Sequence, residues 1–240
     1  MDRKRKTITK ICGFLAAWTV ILFVLTVGIY GIAGDGSLIA QEMLRHAPPE
    51  TTGLPEKEYD GVGRMTAGYL TGQEAVFQYA FSDAEGCVYL CFQDHEADHM
   101  ADCRELIRLA GTLRWITGGS GLFLIGAGML FRRYRKIFAG GMLAGLLAAG
   151  ILIIGLAAWA AADFDGLFTA FHRVAFTNDG WLLNPRTDLL IRLMPVGFFI
   201  TLAARLAMWM LAAGLAAGAA AWTMKKREGK FRFPGESREL

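Results

Sequence analysis

Residues 95–99 read HEADH, two histidines one helical turn apart with a glutamate between them. As His-Glu-x-x-His, the spacing would put His95 and His99 on one helix face as zinc ligands, with Glu96 as general base of a peptidase. A catalytic zinc also needs a third protein ligand and an open position for water. Asp98, Asp102 and Glu105 lie nearby, but none belongs to a second signature. A zinc membrane peptidase using His95, Glu96 and His99 therefore stands as an alternative reading. The same histidine supports other chemistry. Glu96 and Asp102 lie three residues to either side of His99 and share its face on a helix. Carboxylates so placed raise an imidazole's basicity and fix its orientation, which suits a group that moves protons.

The other two histidines are His46, expected to be an exposed bystander beside a proline-rich loop, and His172. His172 lies in a segment rich in aromatics: Phe164, Phe168, Phe171, Phe176 and Trp181. Aromatic belts anchor membrane proteins at interfaces. A histidine inside one sits where an acyl chain and a polar headgroup could meet, so a third reading pairs His99 with His172.

The elements that must hold these residues are set by hydropathy. Of the 240 residues 54% are hydrophobic, and they concentrate in four nearly charge-free runs: Ile11–Ala33, Trp115–Phe131, Phe138–Ala162 and Pro195–Met224. Each approaches or exceeds the ~20 residues a helix needs to cross a bilayer, and in lipid the backbone must bond to itself. The expected class is an all-α membrane protein: four transmembrane helices, with an extracellular cap of short helices and a β-hairpin.

Basic clusters RKRKTITK, RRYRK and KKREGKFR flank the spans on one side if the spans alternate, and the positive-inside rule assigns that side to the cytoplasm. The resulting organisation is a cytoplasmic N-terminus (1–10), spans at 11–33, 115–131, 138–162 and 195–224, and a cytoplasmic loop (132–137). The cap (34–114) and a second extracellular segment (163–194) face outward, and a cytoplasmic tail (225–240) closes the chain. The long apolar first run favours an uncleaved anchor over a signal peptide. Between Gly34 and Thr112, fourteen acids face five Lys or Arg. The net charge of +3 thus reflects membrane anchors, and nothing points to a nucleic-acid partner.

Within the cap, Ser37–His46 and Gly61–Leu70 have helical spacing, and APPETTGLPEKEYD reads as a loop because Pro48, Pro49 and Pro55 break helices. AVFQYAF and CVYLCFQ flank SDAEG as a hairpin. Asp94–Ala110 shows a helical apolar face. Cys87 and Cys91 would be about 13 Å apart on a strand, too far to bond. Cys103 could reach one of them, or all could be free thiols. GMLAG and GLAAG place Gly141, Gly145, Gly214 and Gly218 four apart, spacing that suits close helix packing in lipid. Arg192 and Arg205, at the edge of the last span, are expected to snorkel or pair with an acid.

The segments EADHMADCR and FHRVAFTNDGWLLNPRTDLLIRLMP resemble the two signature blocks of the lipoprotein intramolecular transacylase family, four-helix bacterial integral membrane proteins. Glu96, His99, Met100 and Asp102 carry the first match; Phe171, His172, Phe176, Asn178, Asp179, Trp181, Asp188 and Pro195 carry the second. Cys103 stands where that family usually has an aliphatic residue, and His95 falls where no fixed histidine is expected.

The resemblance implies acyl transfer from the sn-2 position of the diacylglyceryl group to the α-amine of the N-terminal cysteine of bacterial lipoproteins. The product is an N-acyl lyso-lipoprotein. His99 and His172 would be catalytic, with no cofactor and no metal. Glu96 and Asp102 would support them, and Phe171, Phe176, Asn178, Asp179 and Trp181 would line the substrate pocket. Partners would be diacylglyceryl-modified lipoproteins in the outer leaflet and membrane lipids; the location would be the bacterial plasma membrane. Histidine, with a reference pKa near ~6.5, suits both the proton taken from the amine and the proton given to glycerol. The flanking carboxylates favour His99 as the base. No GxSxG elbow is present, as expected if ester and amine belong to one molecule. A non-enzymatic alternative is a membrane sensor or assembly factor whose cap binds a partner.

Overall fold

The computed structural model describes residues 2–130 and 132–230. Phe131, the end of the second expected span, and the tail from 231 onward lie outside the described residues. The chain runs α1 (Asp2–Ala33), α2 (Gly36–His46), α3 (Pro49–Thr52), α4 (Tyr59–Thr71), β1 (Ala80–Ser82), β2 (Val88–Leu90) and α5 (Asp94–Leu130). It continues through α6 (Arg135–Ala162), α7 (Phe164–Ala175), α8 (Leu189–Leu193) and α9 (Val196–Lys230). Contacts divide it into two compact units, one built on the described parts of Met1–Leu25, Arg114–Leu156 and Trp209–Leu240, the other on Thr26–Leu113 and Ala157–Met208.

Among the described residues four helices, α1, α5, α6 and α9, are long and apolar enough to cross a membrane. In the first unit Ala16, Ala17, Phe138, Met142 and Ala221 form the core, while Leu122, Phe123, Leu147, Ile151 and Ile154 point outward and stay exposed. An apolar exterior of this kind suits lipid rather than water. Gly141 and Gly145 let α6 close onto α1: a methyl group at Gly145 would fall 2.7 Å from the Phe14 carbonyl oxygen, and one at Gly141 would collide with the Lys10 carbonyl. The expectation for the second glycine pair does not hold. Gly214 has open space around it, and Gly218 only reaches Leu146 at 4.0 Å.

The second unit has its own core, including Met43, Leu54, Tyr59, Val62, Phe77, Phe92, Met100, Leu193 and Phe198. Helices α2 and α4 follow the apolar spacing of their sequences. Asp35 caps α2 by accepting the Leu38 N–H at 2.9 Å. The hairpin forms as the pattern indicates, antiparallel with Phe81 opposite Tyr89, and Gly86 (φ +83°) supplies the turn.

Three details differ from the sequence reading. APPETTGLPEKEYD is not all loop: Pro48 takes the N-cap of α3 and Pro55 that of a 3-10 turn, Glu56–Glu58. Proline is harmless there because first-turn N–H groups have no helical partner. The cap helix expected over Asp94–Ala110 and the span expected from Trp115 are one 37-residue helix, α5. A single Gly111 does not interrupt it. The charges lie in the 94–114 portion, leaving 115–130 as its apolar part. His46 is not a surface bystander: it is half-buried, with Nε2 2.9 Å from Thr201 Oγ1.

Arg205 pairs with Glu42, Nη2 to Oε1 at 2.7 Å, so an acid accounts for this charge near the last span. Arg192 donates to the carbonyls of Asp188 and Thr52, both at 3.3 Å. All four cysteines are free thiols. The molecule is thus an all-α membrane protein with four spanning helices, short accessory helices and a two-stranded hairpin.

Candidate active site

The site grows from the beginning of α5. Glu96 is the third residue of that helix, and its Oε2 accepts the backbone N–H of Gln93, the residue that caps it, at 2.8 Å. This is the return half of a capping box. The other oxygen, Oε1, accepts the N–H of Leu190 at the start of α8, at 2.7 Å. Asp188 occupies the N-cap of α8 but makes no capping bond of its own. Glu96 supplies that bond from another helix and is fully buried in doing so. It therefore does not flank His99 as a charge partner.

One turn on, His99 points into a nest of rings. His172, in the last turn of α7, faces it with ring centroids 6.1 Å apart and planes tilted by 33°. Helix α7 is positioned by Asp163, which caps it through the Gly166 N–H, and it ends where the His172 carbonyl accepts the Phe176 N–H. Phe176 packs against both imidazoles, 5.3 Å from His99 and 5.4 Å from His172. Phe168, Phe171 and Trp181 enclose His172 at 4.1, 5.3 and 5.0 Å. Both histidines are buried, His99 to 8% and His172 to 6% exposure.

The second histidine has a defined tautomer. Its Nδ1 lies 2.8 Å from the Phe168 carbonyl, which can only accept, so Nδ1 carries the proton and a neutral ring keeps its lone pair on Nε2. Burial lowers the His172 pKa, against the pull of that carbonyl. His99 is pushed down to about 4, first by burial and then by the neighbouring His172, with Asp102 opposing. The basicity expected from flanking carboxylates does not materialise: burial disfavours the charged form of both rings.

Asp102 has another partner. Asn178 Nδ2 donates to its Oδ2 at 2.8 Å, and Asn178 Oδ1 accepts the Gly180 N–H at 3.0 Å. This ties the turn after α7 to α5. Beside it opens a cavity of about 160 Å³ lined by Asp102, Glu105, Phe176, Thr177 and Asn178, among others. Asp179 sits exposed in the same turn, where its carbonyl accepts the Leu182 N–H.

His95 turns away from His99. Its Nε2 lies 3.0 Å from Asp188 Oδ2. Asp188 also accepts from the Asn184 N–H at 2.7 Å and the Thr187 hydroxyl at 2.6 Å. The three residues of the zinc string thus face three different environments, and among the described residues no three His, Cys, Asp or Glu side chains converge as metal ligands.

Two contacts escaped the sequence reading of the site. The bond of His172 to the Phe168 carbonyl was visible: a helical histidine reaches the carbonyl four residues back, and Phe168 is that residue. The pairing of Asp188 with His95 gave no local signal, because the two come from distant segments.

The sequence profile described as lipoprotein intramolecular transacylase Lit matches residues 14–199. No curated protein matches the chain. Among solved structures, the membrane integral lipoprotein intramolecular transacylase Lit from Bacillus cereus superposes with a TM-score of 0.73 at 16% identity, covering 93% of this chain and 98% of that one. Variants of that protein with one histidine replaced by arginine or alanine give TM-scores of 0.70 and 0.66 at 14% and 15% identity. They cover 96% and 95% of this chain, and 97% and 98% of theirs.

Proposed function

The chain belongs to the lipoprotein intramolecular transacylase family, and from that premise we propose that it moves the sn-2 acyl chain of a diacylglyceryl lipoprotein to the free α-amine of its N-terminal cysteine. The observation that carries the proposal is the pair His99 and His172. They come from segments 73 residues apart and face each other inside an aromatic enclosure.

In the reaction the amine nitrogen forms a bond to the sn-2 ester carbonyl carbon, and the bond from that carbon to the glycerol oxygen breaks. The amine gives up a proton and the glycerol oxygen gains one. His172, with its Nε2 lone pair free, is the better base, and His99 is the proton donor to the departing oxygen. This reverses the assignment that flanking carboxylates suggested. Two neutral imidazoles suffice, since proton removed and proton delivered balance.

Nucleophile and ester are parts of one substrate, so the site has mainly to fold it. Phe168, Phe171, Phe176 and Trp181 present apolar faces to the lipid and exclude water from the acyl carbon. The acidic cavity at Asp102 and Glu105 suits the amino terminus as it arrives charged; that ammonium releases one proton to solvent before attack, and the neutral amine then gives up the proton that balances the one gained by the glycerol oxygen. Asn178 holds the loop that closes around it, and Glu96 fixes α5 against α8.

We place both termini in the cytoplasm, with spans at 11–33, 115–131, 138–162 and 195–224. The basic clusters then obey the positive-inside rule, and the histidines face the outer leaflet, where lipoproteins are displayed. The test is expression in a bacterium lacking other N-acylation. Mass spectrometry should find lipoprotein amino termini that are N-acylated and carry a monoacylglyceryl group. Unchanged diacylglyceryl cysteine with a free amine would end the proposal.

A further inference from the structure

Cys103 lies one turn along α5 from His99, and its sulfur is 3.6 Å from His99 Nε2. The other ring nitrogen, Nδ1, is buried and makes no hydrogen bond. We propose that Cys103 is a positioning residue: its thiol donates to His99 Nε2 and so holds His99 in the tautomer that carries its proton on Nδ1. The tautomer stands on geometry alone, while its kinetic consequence rests on the transacylase reading.

The contact can be written in two ways. An S–H donated to Nε2 uses the strong lone pair of an imidazole as acceptor. An N–H donated from Nε2 would use sulfur, a weak acceptor; Nδ1 is without a partner in either case, so the strength of the sulfur contact decides. The first arrangement is the stronger bond. The thiol also keeps a proton to give: burial, helped by the Asp102 charge, pushes its pKa up to about 12. It is therefore a poor thiolate nucleophile.

The groups that face or neighbour His99 are compatible with this. His172, from α7, carries its own N–H on Nδ1, committed to the Phe168 carbonyl. On α5, Asp102 accepts from Asn178, and Glu96 accepts from two backbone N–H groups. No carboxylate is left to orient His99, so the thiol takes that task.

The chemical consequence is a division of labour between the rings. Ester and glycerol oxygens only accept hydrogen bonds, and an amine gives a proton up. The site therefore needs one ring that offers N–H and one that offers a lone pair. Phe168 fixes the second as His172; Cys103 fixes the first as His99. In free neutral histidine the ring proton prefers Nε2, so without the thiol His99 would relax toward the opposite tautomer.

The experiment uses the full-length protein in nanodiscs, labelled with 15N-histidine. Long-range 15N–1H spectra should show His99 with a protonated Nδ1 and an unprotonated Nε2, before any substrate is added. Cys103→Ala should move the proton toward Nε2, and Cys103→Ser, which keeps a donor, should hold it on Nδ1. In the lipopeptide assay Cys103→Ala should lower kcat about tenfold with KM unchanged, the size of one hydrogen bond, and Cys103→Ser should restore most of it.

An Nε2–H tautomer in the unmodified protein overturns the proposal without reference to any variant or to the reaction. So does an acyl thioester on Cys103 in the turning-over enzyme, which would make it a nucleophile. A correct tautomer in a protein that transfers no acyl group would instead reject the transacylase reading and leave the role of Cys103 intact.

Discussion

Glu96 accepts the backbone N–H of Leu190, 94 residues further along the chain, at 2.7 Å, while its other oxygen closes the N-terminus of its own helix. One buried carboxylate thereby registers α5 against α8 and sets the depth at which His99, one turn later, enters the aromatic nest. A glutamine offers a single acceptor oxygen and turns an NH2 toward the second N–H. Glu96→Gln should cost about 1–3 kcal/mol of stability, read as a lowered thermal midpoint in detergent. Acyl transfer should fall with it. A midpoint equal to that of the unmodified protein would show that this carboxylate is not structural.

His95 is bonded as a strap, from α5 to Asp188 at the N-cap of α8. Its bond to Asp188 raises its pKa. Burial would raise Asp188, but the bonds from Thr187, His95 and the Asn184 N–H outweigh it, and the carboxyl is lowered. The histidine's contribution is full below the ordinary value of ~6.5 and fades as pH rises through its raised folded value. The aspartate's contribution is present above ~3.8 and is lost as pH falls through its lowered one. His95→Ala should therefore be most destabilising in mildly acidic solution and progressively less so above neutrality, with conversion retained within a few-fold. A pH-independent difference in thermal midpoint would contradict the strap, and complete loss of conversion would return His95 to the active site.

Burial holds both central imidazoles below the ordinary histidine range, His99 down to about 4. Histidine 13C–1H spectra recorded against pH should place both protonation steps below the ordinary ~6.5, as two steps that belong to the coupled pair. A ring that is charged at pH 7 would remove either the lone pair or the neutral donor that the proposed mechanism uses.

Replacing His99 or His172 by alanine should lower conversion by at least ~10²-fold each. The double variant should be little worse than either single one if the two act in the one proton relay proposed above. Multiplicative losses would mean that the rings work independently.

Much of this was legible in the chain. Long apolar runs announced the spanning helices, and turn residues announced the hairpin. The resemblance in two separated segments singled out His99 and His172, which no spacing rule connects. What local sequence could not disclose were the partners of the surrounding acids. Glu96 and Asp102 looked like a charged surround for His99, yet each is engaged by a backbone N–H or side-chain amide brought in by folding. Burial then reversed the expected sign of the His99 shift. The string HEADH shows the same limit: helical spacing places side chains on a face, while packing decides where each one points.

The most direct measurement is an isotope crossover on purified protein. Two synthetic diacylglyceryl lipopeptides are mixed, one unlabelled and one heavy in both its sn-2 chain and its peptide. Intramolecular transfer predicts that mass spectrometry finds only wholly light and wholly heavy N-acyl products, with a monoacylglyceryl group left on each. Products that combine a heavy chain with a light peptide, or peptides that remain free amines, would contradict the account.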